Sequence, residues 1–117
     1  MLAVAVAHAD EDITLDQLQY RIRRGESILL IWIADDGELI IGAATVEFKE
    51  YPRQRVALVS FVGGDSGLTD QSKFDVLAQW CRERGASAIE AWCRPVAARL
   101  FEKNGFQQKY IVTRCAL

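Results

Sequence analysis

An antiparallel β-meander followed by a strand–helix–strand unit, with helices on both faces of one mixed sheet, is the α/β architecture this sequence predicts. Three observations predict it. Apolar runs near 28–33, 38–48 and 55–62 are separated only by turn signals, which is the mark of consecutive hairpins. An amphipathic pattern between 69 and 84 then separates the third run from another short apolar run at 87–93, and a strand–helix–strand order demands parallel strands. Each helical pattern also ends in glycine (Gly25, Gly85, Gly105), where a left-handed residue closes a helix. The 117 residues are one domain's length of chain. With no linker, repeat or low-complexity tract dividing them, residues 1–117 read as a single domain.

The elements follow in order. Met1 to Ala7 is apolar but lacks a basic leader, so it reads as a first strand or an unpacked end and not as a signal peptide. Thr14 and Gln17 have the spacing of a capping box, and Leu15, Leu18 and Ile22 recur at helical period behind them. Arg21, Arg23 and Arg24 form a basic cluster on the solvated side. Ile28 to Ile33 is continuously apolar, as expected of a strand covered on both faces. Asp35-Asp36-Gly37 is a turn signal, and Glu38 to Phe48 returns as a second strand whose Gly42 suggests a bulge or a close backbone approach. Tyr51-Pro52-Arg53-Gln54 turns the chain into a third strand, Arg55 to Val62.

Gly63 to Gly67 is a loop, and Thr69 or Asp70 is placed to cap the next helix. Phe74, Leu77, Ala78 and Cys81 lie on one stripe of that helix, so Cys81 reads as a small core residue. Ser87 to Cys93 is a buried strand. Trp32 and Trp92 are expected in the core or on a sheet face, and an exposed Trp80 beside Phe74 would hint at a partner surface. Pro95 opens the last helix, with Val96, Ala97, Leu100 and Phe101 on its inner face, and a final strand is expected from about Lys109 to Cys115.

Composition excludes several functions. The chain is 50% hydrophobic and 26% charged, with a net charge of −2, which offers no electrostatic footprint for nucleic acid. Its longest strongly apolar run, 28–34, is far below the ~20 residues of a membrane span. The three cysteines are an odd number with no CxxC pair, which favours a reducing, cytoplasmic setting and gives no metal site. A single histidine, His8, sits near the N-terminus and argues against a Ser–His–Asp triad, a Cys–His dyad or a histidine-rich metal site.

The segment Ala97-Ala98-Arg99-Leu100-Phe101-Glu102-Lys103-Asn104-Gly105-Phe106 resembles the A-x-x-L-Y-E-K-x-G-F segment of the GCN5-related N-acetyltransferases, the GNAT superfamily. The element order from Thr14 onward resembles theirs as well, shortened at the N-terminus. The resemblance implies a GNAT-like mixed sheet in which two parallel strands splay and acetyl-CoA, the acyl donor, lies in the gap. It implies transfer of the acetyl group to a primary amine. Mapped onto this chain, the donor would meet Phe61, Val62, Gly63 and Gly64 at the end of the third strand, and Ser66 and Gly67 in the loop. Three positions depart from the family's pattern. The loop carries Asp65 and Asp70 in place of its glutamine or arginine, Phe101 stands where a tyrosine protonates the leaving thiolate, and Arg94 replaces an asparagine.

Glu47, Glu90 and Tyr110 are the polar side chains best placed for base and acid roles in such a cleft, and each also fits a solvated strand face or an ordinary ion pair. Ser60 fits either a substrate contact or a core hydroxyl. Cys93 has no histidine close in sequence to activate it. A second, looser likeness joins Tyr51-Pro52-Arg53, Phe61-Val62-Gly63-Gly64, the helix that follows, Arg94 and Gly105-Phe106 to short GNAT-like proteins of tailed phages. It implies a catalytically inactive binding or assembly module, virion-associated, with protein partners or a homo-oligomer. Both readings stand at this point.

Overall fold

The computed structural model describes residues 13–33, 37, 39–64 and 71–117. The readings made on Met1 to Ala7, His8, Asp65, Ser66, Gly67 and Asp70 lie outside them. The chain forms helix α1 (Leu15–Arg23), strands β1 (Ile28–Ile33), β2 (Ile40–Tyr51) and β3 (Gln54–Gly64), helix α2 (Gln71–Glu83), strand β4 (Ala88–Ala91) and helix α3 (Pro95–Phe101). A single 3-10 turn, Glu102–Asn104, follows α3. One sheet has the order β1-β2-β3-β4, antiparallel between the first three strands and parallel between β3 and β4. This is the predicted mixed sheet.

Local chemistry sets the ends of these elements. The Thr14 backbone N–H donates to Gln17 Oε1 at 2.9 Å and the Gln17 N–H donates to Thr14 Oγ1 at 3.2 Å, so both halves of the capping box form. Gly85 and Gly105 close the later helical segments at φ 85° and 88°, a conformation that strains any residue with a Cβ. The β2–β3 hairpin turns on Pro52 and Arg53 alone, with Tyr51 paired to Gln54. The β1–β2 register slips between Trp32 and Ile33, one residue from Gly42, which answers the bulge expected there.

The two sheet faces are packed differently. On one, Ala44, Val46, Ala57 and Val59 meet Leu77 and Cys81 of α2, with Phe101 and Phe106 closing the end of the cluster. Phe106 sits 5.5 Å from Phe74 and 5.6 Å from Phe101 between ring centres. On the other face, Thr45, Glu47, Val56 and Leu58 are buried. Helix α1 lies over that face: Leu18 is fully buried, and Arg21, one turn on, reaches Glu47.

Several expectations are corrected. Among the described residues β1 is at the edge of the sheet, with one covered face: Leu30 and Trp32 pack into the core, while Leu29, Ile31 and Ile33 are 42–50% exposed. A continuous apolar run does not distinguish one covered face from two. Trp92 is exposed, because β4 ends before it and the inward positions are Ile89 and Ala91. Trp80 is half-buried, stacked on Phe48 at 5.8 Å and covered by the Arg84 guanidinium at 4.0 Å, so it marks no partner surface. Val96 and Leu100 of α3 face outward. Lys109–Cys115 forms no strand and is exposed throughout. Among the described residues, no helix is long and apolar enough to cross a membrane.

Leu18 is the buried side chain of α1. Leu18→Ala is expected to lower stability by about 2–5 kcal/mol, the range for truncating a fully buried leucine. Urea unfolding checks this, and a loss under ~0.5 kcal/mol would mean that α1 is not docked through Leu18.

Candidate functional site

The parallel ladder is short, and its end makes the site. β3 pairs with β4 only from Val56↔Ala88 to Val59↔Ala91. Immediately past Val59, β3 carries an extra residue. Its pairing with β2 steps from Val46↔Val59 to Ala44↔Val62, so three steps on β3 answer two on β2. A bulge of this kind bends the strand that contains it and ends regular pairing on its flank. β3 then continues to Gly64, held by β2 through Ala43↔Gly63 and Gly42↔Gly64. β4 has already stopped, and residues 92–94 lead away into α3.

Among the described residues, 60–64 of β3 therefore have a strand neighbour on one edge and none on the other. Backbone N–H and C=O groups along such an edge are obligatory hydrogen-bonding groups that the ladder with β4 does not serve. Phe61, Val62, Gly63 and Gly64, the positions expected to meet a donor, lie by their backbone along this unpaired stretch. Ser60 begins it. Trp92, Cys93 and Arg94 flank the gap from the β4 side, and all three are exposed. Trp92 is expected from sequence in the core or on a sheet face. Strand alternation from Ile89 and Ala91 was the signal that turns it outward.

The polar candidates fall into different situations. Glu47 pairs with Leu58, and Leu58 pairs with Glu90, so the two carboxylates belong to one row on the α1 face, two strand spacings apart. That is roughly 10 Å between backbones. Glu47 is buried and fully engaged. Arg21 pairs with its Oε1, Ser27 Oγ donates to the same oxygen at 3.0 Å, and Lys49 Nζ stands 3.2 Å from Oε2. Burial pushes the Glu47 carboxyl up, but the Lys49 and Ser27 hydrogen bonds and the Arg21 charge together hold it below its ordinary value. A carboxylate held this way is a weak base and a strong anchor for α1. Glu90 is half-buried in β4, one position before the strand's last residue. Tyr110 is 84% exposed, outside any strand, and is not drawn into this row.

The Phe101 ring packs against Phe106 and carries no proton to give. Burial raises the thiol pKa of Cys81 against the opposing charges of Arg84 and Arg82. Cys93 is exposed as a residue, yet desolvation near its sulfur raises its pKa too, the reverse of what an attacking thiolate needs. Two shallow grooves lie elsewhere, one beside Tyr20 and Arg21 on α1 and one beside Val76 and Gln79 on α2; neither includes a candidate residue. Among the described residues no group of His, Cys, Asp and Glu is arranged to hold a metal ion.

No protein-family model and no curated protein matches the chain. Its fold does match solved structures. An acetyltransferase from Trypanosoma brucei aligns with 98% of this chain and 89% of its own, at 16% identity and TM-score 0.67. Glucosamine-6-phosphate N-acetyltransferase from Arabidopsis thaliana aligns with 97% and 87%, at 13% identity and TM-score 0.65. A transcriptional regulator from Bacillus halodurans aligns with 92% and 79%, at 21% identity and TM-score 0.62. At these identities the likeness is one of fold, and the fold is the GNAT-like one expected from the chain's last helix and its element order.

Two predictions follow from the side-chain environments. The folded pKa of Glu47 lies below its unfolded value, so its contribution to stability is present above the unfolded pKa and is lost as pH falls through the folded one. Glu47→Gln should therefore cost about 1–2 kcal/mol at neutral pH, discounted for the partly exposed Arg21, and the difference from wild type should shrink below about pH 4. Urea unfolding at several pH values measures it. In native protein, Cys115 should react with a thiol reagent first, Cys93 more slowly because desolvation raises its pKa, and Cys81 only as the chain unfolds.

Proposed function

We propose that the protein is an N-acyltransferase of the GNAT type, moving an acetyl group from acetyl-CoA to a primary amine. The observation that carries this reading is the gap where β3 outruns β4. Among the described residues, five of β3, 60–64, have no strand neighbour on the side facing 92–94. That edge fits an extended donor carrying its own amide groups, because such a chain answers unpaired N–H and C=O groups as a strand would. An N–H aimed at the thioester oxygen would also stabilise the charge that develops there.

In the reaction the amine nitrogen attacks the carbonyl carbon, the carbon–sulfur bond breaks, and the acetyl group passes to nitrogen. The amine loses a proton and the departing CoA thiolate takes one. Glu90 is the better placed of the two carboxylates to receive the amine's proton, since Glu47 is committed to Arg21, Ser27 and Lys49. Solvent at the open mouth of the gap supplies the thiolate's proton, as Phe101 has none.

A second reading has its own observation. With Phe101 packed on Phe106 and Glu47 held as an anchor, two positions suited to proton transfer are given over to structure. This supports a GNAT-fold binding module that retains the gap without turnover.

Calorimetric titration with acetyl-CoA, with CoA as control, tests both. The enzyme reading expects micromolar binding, about −8 kcal/mol, with amide shifts confined to 60–64 and release of free thiol when primary amines are added. Binding without thiol release across a panel of amines would favour the module. No binding at millimolar donor by folded protein would overturn acetyl transfer.

A further inference from the structure

Two groups at the gap are left without a counterpart by the rest of the chain. Ile89 and Ala91 pack against the α2 side of the sheet, so by strand alternation Glu90 and the next position but one, Trp92, belong to the opposite side. Glu90 is half-buried, and among the described residues its carboxylate has no ion pair or hydrogen bond. Arg21 and Lys49, which serve that face, both pair with Glu47. A carboxylate partly withdrawn from water with no counter-ion is unfavourable. Trp92 is 67% exposed. Tyr20, Phe48 and Trp80 each carry an arginine of this chain over the ring, at 5.5, 4.1 and 4.0 Å from its centre. Among the described residues no cation and no second ring covers Trp92. Arg94, next but one along the chain, is engaged within the protein.

We propose that the acceptor is an alkylamine bound as its ammonium ion between the Trp92 indole and the Glu90 carboxylate, and that Trp92 selects it over neutral amines. The inference rests on the acyl-transfer reading for the fate of this cation, but not for its binding. Two positions on an extended backbone are roughly 7 Å apart. A cation is attracted over an indole face within ~6 Å of the ring centre, and an ammonium N–H donates to a carboxylate oxygen at about 2.8 Å. One ammonium group therefore spans both. The indole adds apolar area that covers the adjoining carbon chain. A neutral arylamine or amide brings no charge to either group. The bound ammonium passes one proton to Glu90, and its freed electron pair attacks the thioester carbon as the carbon–sulfur bond breaks. The nitrogen's next proton leaves to solvent, the thiolate takes one from solvent, and Glu90 returns its own.

Choline and its neutral carbon isostere, 3,3-dimethylbutan-1-ol, test the site on the full wild-type chain without turnover. The readout is the indole N–H resonances, with Trp92→Phe assigning the one that belongs to Trp92. Millimolar choline should shift that resonance, the alcohol should not, and Trp92→Leu should bind choline at least about threefold more weakly. Where thiol is released, Trp92→Leu should raise KM for pentylamine about 3–30-fold, with kcat and acetyl-CoA affinity within about twofold of wild type. Trp92→Phe, which keeps a weaker aromatic face, should fall between. An equal response to choline and the alcohol, or a response to neither, overturns the cation site whether or not thiol is released. So does a Trp92→Leu effect on kcat with KM unchanged. Thiol release without choline binding leaves acyl transfer standing and removes this site. Choline binding at Trp92 with no thiol release from any amine upholds the cation site and overturns acyl transfer.

Discussion

β3 has two neighbours whose demands differ, and the rest of the molecule is arranged around that difference. Its antiparallel partner β2 follows it from Gln54 to Gly64, across a bulge, while its parallel partner β4 follows it for four residues only. An antiparallel hairpin needs two connecting residues, here Pro52 and Arg53. A parallel pair needs a crossover, and α2 is that crossover. The helix must cover the face it crosses, which explains why Leu77 and Cys81 meet Ala44, Val46, Ala57 and Val59 there. The same bulge that bends β3 coincides with the end of its pairing with β4. One extra residue in one strand thus lies where the ladder with β4 ends.

The opposite face is held by charge as well as by apolar contact. Glu47 is buried in the middle of β2, and an unpaired carboxylate there would be expensive. Arg21 from α1, Ser27 at the entry to β1 and Lys49 on the same strand satisfy it together. Because Arg21 and Ser27 flank the α1–β1 connection, the network sets where the helix sits and where the first strand begins. Removing one partner leaves the others facing an uncompensated charge, so the group acts as a unit.

These two arrangements divide the row of carboxylates by role. Glu47 and Glu90 are alike in sequence and share a face, but the first is tied down by three partners while the second sits on the strand that stops at the gap. The aromatic end of the core does the same on the other face. Phe106 folds back on Phe74 and Phe101, which locks α3 beside the opening and leaves Val96 and Leu100 pointing away.

Much of this was readable from residue order alone. The capping box at Thr14, the stripe of Phe74, Leu77, Ala78 and Cys81, the closing glycines and the Tyr51–Gln54 turn depend on neighbours within a few positions, so periodicity and turn chemistry determine them. The mixed sheet also follows, because strand order and connection length leave few topologies. What needed the tertiary structure was every property that depends on distant partners. The bulge past Val59 has no local signature, since Ser60 and Phe61 look like any strand residues. Whether Ile28–Ile33 is covered once or twice depends on what packs beside it. Glu47 and Glu90 differ through the partners of the first, among them Arg21 and Ser27, 26 and 20 positions away. Lys109–Cys115 has a strand's composition, but a strand exists only where an edge receives it, and edges are made by the fold.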